Sequence, residues 1–293
     1  MSKRMKVFLS ILTTIFIGSF LAAGIILYNS NYKLLNYIDD WNWDWHWDWD
    51  FDDYDNSSIF SENRDISFDD SLNSILINTT SIDVSLKYTD SENINVSIQS
   101  NKNIPFDEII NKYDISNNVL NISTNESLFN TIRRAKLTIS IPNKYKNDIS
   151  IKTTSGDTTV SNASTNNLSV LSTSGDIELY TVNPTSSTII TTSGDIQSSN
   201  SNLGNSEIKT TSGDIELLLN DIGLNNNFST TSGDIELSIP SNIGYNADFT
   251  TVSGEFESTI PFSKNSRTNY TLTNGDGNKK ITLNTVSGDC DIN

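Results

Sequence analysis

Acidic residues recur in register at Asp157, Asp176, Asp195, Asp214, Asp234, Glu255 and Asp289, each directly after a glycine. A second row lies two positions on, at Glu178, Gln197, Glu216, Glu236 and Glu257. Rows of carboxylates invite two kinds of chemistry. Several carboxylate and carbonyl oxygens together can hold Ca2+; Asp157, Asp176, Asp195, Asp214 and Asp234 are the candidate ligands, and no other cofactor is indicated. A pair of carboxylates can also cleave a glycan. An active site, however, stands out from a repeat. These acids are set by it, no Lys or Arg sits among them in the motif, and no residue is singled out as catalytic. The spacing also differs from the Gly-Gly-x-Gly-x-Asp calcium repeat. The plain alternative is that each Asp accepts hydrogen bonds from N–H groups at a chain corner and stays solvated.

Composition narrows the choice. The chain has 293 residues, 19 Lys+Arg against 36 Asp+Glu, and a net charge of −17. That sign disfavours nucleic-acid phosphates and anionic lipid headgroups. It permits cation binding or a basic partner. The single histidine, His46, and single cysteine, Cys290, exclude a His-dependent triad in the repeats, a zinc cage and an intrachain disulfide. Cys290 holds the slot that Ile177, Ile196, Ile215 and Ile235 fill elsewhere, so it reads as a small buried apolar residue.

The elements that position the acids are legible. Thr-Thr-Ser-Gly-Asp-Ile and close variants recur about glycines 156, 175, 194, 213, 233, 254 and 288, the first four gaps being 19 residues each. Regular self-similarity signifies one stacked supersecondary unit. Within a unit, apolar residues alternate on either side of the Gly-Asp corner, as in Ile208/Thr210/Ser212 and Ile215/Leu217/Leu219. Gly156, Gly175, Gly194, Gly213, Gly233, Gly254 and Gly288 thus read as structural corners. Two folds share this pattern. One is a single-stranded parallel β-solenoid of about 19-residue coils. The other is a hairpin array in which Gly-Asp is a two-residue turn and Ser212 faces Ile215. The constant period and the repeated small hydroxyls favour the solenoid. The stretch 65–150 shows the same alternation without the motif and reads as its first, less regular coils, with Phe106 to Tyr113 as a short helix.

The N-terminal region has separate signals. Residues 7–28 are apolar and uncharged, long enough as a helix to cross a bilayer, with Lys3, Arg4 and Lys6 before them. That charge placement predicts a single-pass membrane anchor, residues 1–6 inside and the rest exported. A cleaved signal peptide at Ala22-Ala23-Gly24 is the alternative, which the apolar continuation Ile25-Ile26-Leu27 disfavours. Residues 29–64 form a juxtamembrane linker. Within it, Trp41, Trp43, Trp45, Trp47, Trp49 and Phe51 alternate with polar and acidic residues, so an extended chain would present one aromatic face. That face is a candidate cap for the repeat stack, a ligand or partner surface, or an interfacial patch. The eight aspartates between Asp39 and Asp55 weigh against the last.

Leu137-Thr-Ile-Ser-Ile-Pro142 with Tyr145, then Ile149-Ser-Ile-Lys-Thr-Thr-Ser-Gly-Asp157 and the later Thr-x-Ser-Gly-Asp-Ile units, resemble the bacterial putative-adhesin family, also called toastrack domains. The resemblance covers residues 65–293 and implies an all-β, right-handed β-helical stack, export and frequent membrane anchoring. It carries no catalytic residue. The expected role is a non-enzymatic adhesion, interaction or envelope-stress module at the cell membrane, with an envelope protein, surface protein or glycan as partner. A glycan-binding or glycan-active β-helix, or a Ca-stabilised surface structural protein, is the alternative.

Overall fold

Period-two alternation places every second side chain in a core only where the backbone is extended, and that is what these residues do. The computed structural model describes residues 59–125, 127 and 135–293. The apolar run 7–28 and Trp41 to Phe51 lie outside the described residues. Among the described residues no helix is long and apolar enough to cross a membrane.

Among the described residues the strands form two sheets. The first, of 11 strands, runs Phe60–Ile66, Ile94–Ser100, Ala135–Pro142, Asp83–Thr89, Thr158–Ser161, Ile177–Tyr180, Ile196–Asn202, Ile215–Asp221, Ile235–Ser238, Cys290–Ile292, Phe256–Ser258. The second, of 12 strands, runs Phe262–Lys264, Asn269–Asn274, Tyr245–Thr250, Lys279–Asn284, Asn225–Ser229, Asn205–Lys209, Ser186–Ile190, Asn167–Leu171, Asp148–Lys152, Ser74–Asn78, Val119–Thr124, Ile110–Ser116. Inward residues of both sheets, among them Ile177, Ile196, Ile215, Leu168, Val170 and Phe228, join one buried cluster.

From Asp148 to Ser238 each coil gives one strand to each sheet and pairs in parallel with the next coil. Ile177 faces Ile196, Ile196 faces Ile215 and Ile215 faces Ile235. At the corner Ser212 bridges Ser193 and Ser232. Neither Ser212 nor Ile215 pairs across the turn, so the hairpin array is excluded and the parallel solenoid stands.

Four expectations are corrected. The helix is only Phe106–Ile109, because Ile110 is already extended and buried, and Ile110–Ser116 pairs antiparallel with Val119–Thr124. Asn117 and Asn118, both at positive φ, make the tight turn between them, a conformation Asn tolerates. The linker boundary at residue 64 is too late, since Phe60–Ile66 is already a strand paired with Ile94–Ser100. The serine of the motif does not point inward; Ser193, Ser212, Ser232 and Ser287 are exposed. Finally, stacking does not follow sequence to the end. The coil of residues 279–293 lies between the coil at Asn225–Ser238 and the one at Tyr245–Ser258.

Candidate functional site

Each motif position has its own task. Thr210 is buried and its Oγ1 donates to the Gly194 carbonyl of the preceding coil at 3.0 Å. Thr191, Thr230 and Thr285 do the same to Gly175, Gly213 and Gly233. The inward hydroxyl is therefore this threonine. The alternation placed Thr210 correctly beside Ile208 but carried Ser212 inward with them, because the strand ends at Lys209 and the chain bends before Ser212.

Glycine follows because there is no room for a side chain. A Cβ at Gly175 would fall 2.3 Å from the Gly156 carbonyl oxygen, and one at Gly194 2.3 Å from that of Gly175. The same approach runs through Gly213, Gly233, Gly288 and then Gly254. Ile82 heads this column: its carbonyl lies where a Gly156 Cβ would go, and its own side chain is buried. Thr79-Thr80-Ser81-Ile82-Asp83-Val84 is thus the first copy of the motif, hidden by one substitution. Its Asp83 and Val84 were the available signal.

The aspartates form a ladder. The N–H of Asp157 donates to Asp83 Oδ1, and that of Asp176 to Asp157 Oδ1. Asp195, Asp214, Asp234, Asp289 and Glu255 continue the chain, each N–H reaching the previous carboxylate at 2.7–2.8 Å. Carboxylates one strand spacing apart repel by about 0.9 kcal/mol in water. A hydrogen bond to a charged group contributes about 1.5–3 kcal/mol, so the attraction wins at each rung. Asparagine keeps the accepting oxygen and removes the charge. Asp195→Asn is expected to melt within about 1 kcal/mol of the parent, and Asp195→Ala to lose about 1–2 kcal/mol. Urea unfolding of the two variants checks this; equal losses would refute the ladder's role.

The second acidic row is a ladder of facing residues on the outer surface of the first sheet: Glu178, Gln197, Glu216, Glu236, then Asp291 and Glu257. Asp291 entered with the inserted coil and was not anticipated. The two rows meet in a groove of about 320 Å3 lined by Asp234, Glu236, Glu255, Glu257, Asp289 and Asp291. A second groove of about 380 Å3 adjoins it, lined by Phe256, Phe262, Ser258, Thr259 and Asn293 and sharing Glu257 and Asp291.

Burial, then the neighbouring Asp157 and Asp176, raise Glu178 above the usual carboxylate range, although the Tyr180 hydroxyl donates to it at 3.1 Å. Burial and then Glu236 raise Glu216. Groups raised in the folded state favour folding most when protonated, and that contribution fades as pH rises through the folded value. The melting midpoint is therefore expected to increase as pH falls through the raised folded values of these two groups towards the ordinary glutamate value of about 4.3. A Glu178→Gln, Glu216→Gln variant should flatten that slope in a thermal scan, and an unchanged slope would exclude these two groups as its source.

Of the predicted sites, Asp157, Asp176, Asp195, Asp214 and Asp234 do come together, as successive rungs. Each also has one carboxylate oxygen engaged by a backbone N–H, and no three acidic, His or Cys side chains among the described residues converge to hold a metal ion. Cys290 is buried between Ile235 and Phe256, and burial pushes its thiol up. Trp41, Trp43, Trp45, Trp47, Trp49 and Phe51 lie outside the described residues.

Residues 72–293 match the family model described as Toastrack DUF4097. The chain belongs to the toastrack family. Three crystal structures are similar to this toastrack chain. A putative cell adhesion protein from Clostridium sporogenes is 15% identical, with 80% of this chain and 99% of that one covered and a TM-score of 0.39. A putative adhesin from Parabacteroides distasonis is 9% identical over 81% and 98%, TM-score 0.46. One from Bacteroides fragilis is 16% identical over 81% and 99%, TM-score 0.42. No curated protein matches the chain.

Proposed function

We propose that this toastrack domain is a non-enzymatic binding module, held outside the cell membrane by residues 7–28, whose acidic outer face contacts a basic patch on another surface or envelope protein. The observation that carries the reading is the pair of acidic rows. The corner row is acidic at every rung from Asp83 to Glu255, and the second row adds Glu178, Glu216, Glu236, Asp291 and Glu257, interrupted by Gln197. Such an extended outward surface suits a broad contact better than a single catalytic pair. A net charge of −17 supplies long-range attraction to a cationic partner and makes the contact salt-sensitive. The envelope-stress version of this role predicts a membrane partner.

Cells displaying the full chain are expected to capture a polylysine-coated surface, with capture falling steeply as NaCl is raised. Glu178→Gln, Glu216→Gln and Glu236→Gln together should lower capture several-fold at low salt. Capture that ignores both the triple variant and salt would refute the acidic-face reading. In the same preparation, added Ca2+ is expected to leave the melting midpoint where an ionic-strength control leaves it, and EDTA to change nothing. A Ca2+-specific rise would instead favour the metal-stabilised surface protein.

A further inference from the structure

The inserted coil is an unusual way to end a stack. Residues 245–274 form a cap. Strand Tyr245–Thr250 is followed by Phe256–Ser258, then by Phe262–Lys264 and Asn269–Asn274; Asn269–Asn274 pairs antiparallel with both Phe262–Lys264 and Tyr245–Thr250. The cap strands do not pair with the coil at Asn225–Ser238. Their link to the stack runs through residues 279–293, paired in parallel on both sides. Leu283 faces Phe228 and Phe249, while Cys290 faces Ile235 and Phe256. The corner lattice passes through it as well, with Asp289 N–H on Asp234 Oδ1 and Glu255 N–H on Asp289 Oδ1.

The chain reaches this slot through a short hinge. Residues 275–278 leave Asn274 on the far side of strand Tyr245–Thr250 and deliver Lys279 on its near side. Gly275 and Gly277 take positive φ, and the turn is pressed against Gly244 and Asn246: a Cβ on Gly244 would meet Asp276 Oδ1 at 1.9 Å. Tight hinges that join a separable element to its slot are the setting in which two copies exchange that element, because every contact inside the slot is reproduced and only the hinge changes.

We propose that residues 279–293 are an exchangeable coil, and that the slot between Asn225–Ser238 and Tyr245–Ser258 accepts the same coil from a second copy of this chain, giving a reciprocal swapped dimer. The surface involved is self-complementary by construction, since the repeat recognises itself: glycine on glycine carbonyl, aspartate on aspartate N–H, β-branched and aromatic residues in register.

The test uses full chains in mild detergent. In a Cys290→Ala background, one copy carries Glu257→Cys and the other Asp291→Cys. Positions 257 and 291 are facing partners in neighbouring strands, and with one cysteine per copy a disulfide between the two reports a coil in the other copy's slot. Glu216→Cys with Asp291→Cys is the control, since Glu216 pairs with Gln197 and Glu236 instead. Deleting residues 275–277 leaves Asn274 and Lys279 at most about 7.6 Å apart, short of the ~9.6 Å across two strand spacings. Insertion within one copy is then blocked. In this shortened background the 257/291 pair is expected to exceed the control by on the order of tenfold, with the particle mass rising from one chain to two relative to the unshortened protein. Crosslinking equal to the control in both the unshortened and shortened chains would overturn the proposal, and so would a shortened chain that stays a folded single copy.

Discussion

Gly213→Ala is expected to lower the unfolding free energy by on the order of 3–5 kcal/mol, a large loss for a single methyl group. The added Cβ would lie 2.1 Å from the Gly194 carbonyl oxygen, 2.7 Å from its carbon and 2.9 Å from Asp195 Oδ1. Backbone cannot swing aside as a flexible side chain does, so the coils must part at that corner. Parting strains three links at once: the Thr210 hydroxyl to Gly194, the Asp214 N–H to Asp195 and the Ser193–Ser212 bridge. Gly213 also sits at φ +155°, where a side chain is strained irrespective of space. Thermal unfolding should show a fall of roughly 10 °C, whereas Ser212→Ala, one residue away and exposed, should stay within about 0.5 kcal/mol of the parent. Similar midpoints for the two variants would refute the close-packed glycine column.

Removing residues 290–293 is expected to be at least as damaging. Among the described residues, Cys290–Ile292 is the sole partner of Phe256–Ser258 in the first sheet and the far-side partner of Ile235–Ser238. Its loss deletes the backbone bonds Cys290 N–H to Glu255, Asn293 N–H to Leu237 and Ile239 N–H to Asn293, and the Ser258 hydroxyl bond to Ile292. At about 1 kcal/mol per bond and about 2–4 kcal/mol for burying Ile292 and Cys290, the total is about 6–8 kcal/mol. That approaches the whole stability of an ordinary domain. Near-ultraviolet circular dichroism should lose the signal of the Phe249, Phe256, Tyr270 and Phe262 cluster, while far-ultraviolet strand signal from the earlier coils persists. Retention of the aromatic signal would mean that the cap docks on the stack without the inserted coil.

How much of this was legible depends on whether one coil constrains the next. The glycine spacing, the rows Asp157 to Asp234 and Glu178 to Glu236, and the slot shared by Cys290 with isoleucines follow from period alone, because parallel stacking puts like on like at one strand spacing. Asp83 was legible in principle through Thr79-Thr80-Ser81, but Ile82 masked it; that residue carries a side chain because it heads the glycine column. The direction of Thr210 followed from its alternation with Ile208, but that of Ser212 was not legible, since a two-residue period holds only while the strand lasts.

The repeat in the amino-acid chain determined a parallel stack with a crowded glycine corner and an acidic rim, since those follow from the identity of neighbouring positions. It left open which coil lies on which at the end. Gly254 and Gly288 carry nearly the same motif, so either fits on Gly233. Tertiary packing chose Gly288. Cys290 is small enough to lie between Ile235 and Phe256, whereas Phe256 packs with Phe249, Tyr270 and Phe262 in a cap that closes the stack. The short hinge at Gly275–Asn278 then holds the last coil inside, a contact among residues 34 positions apart that no local period encodes.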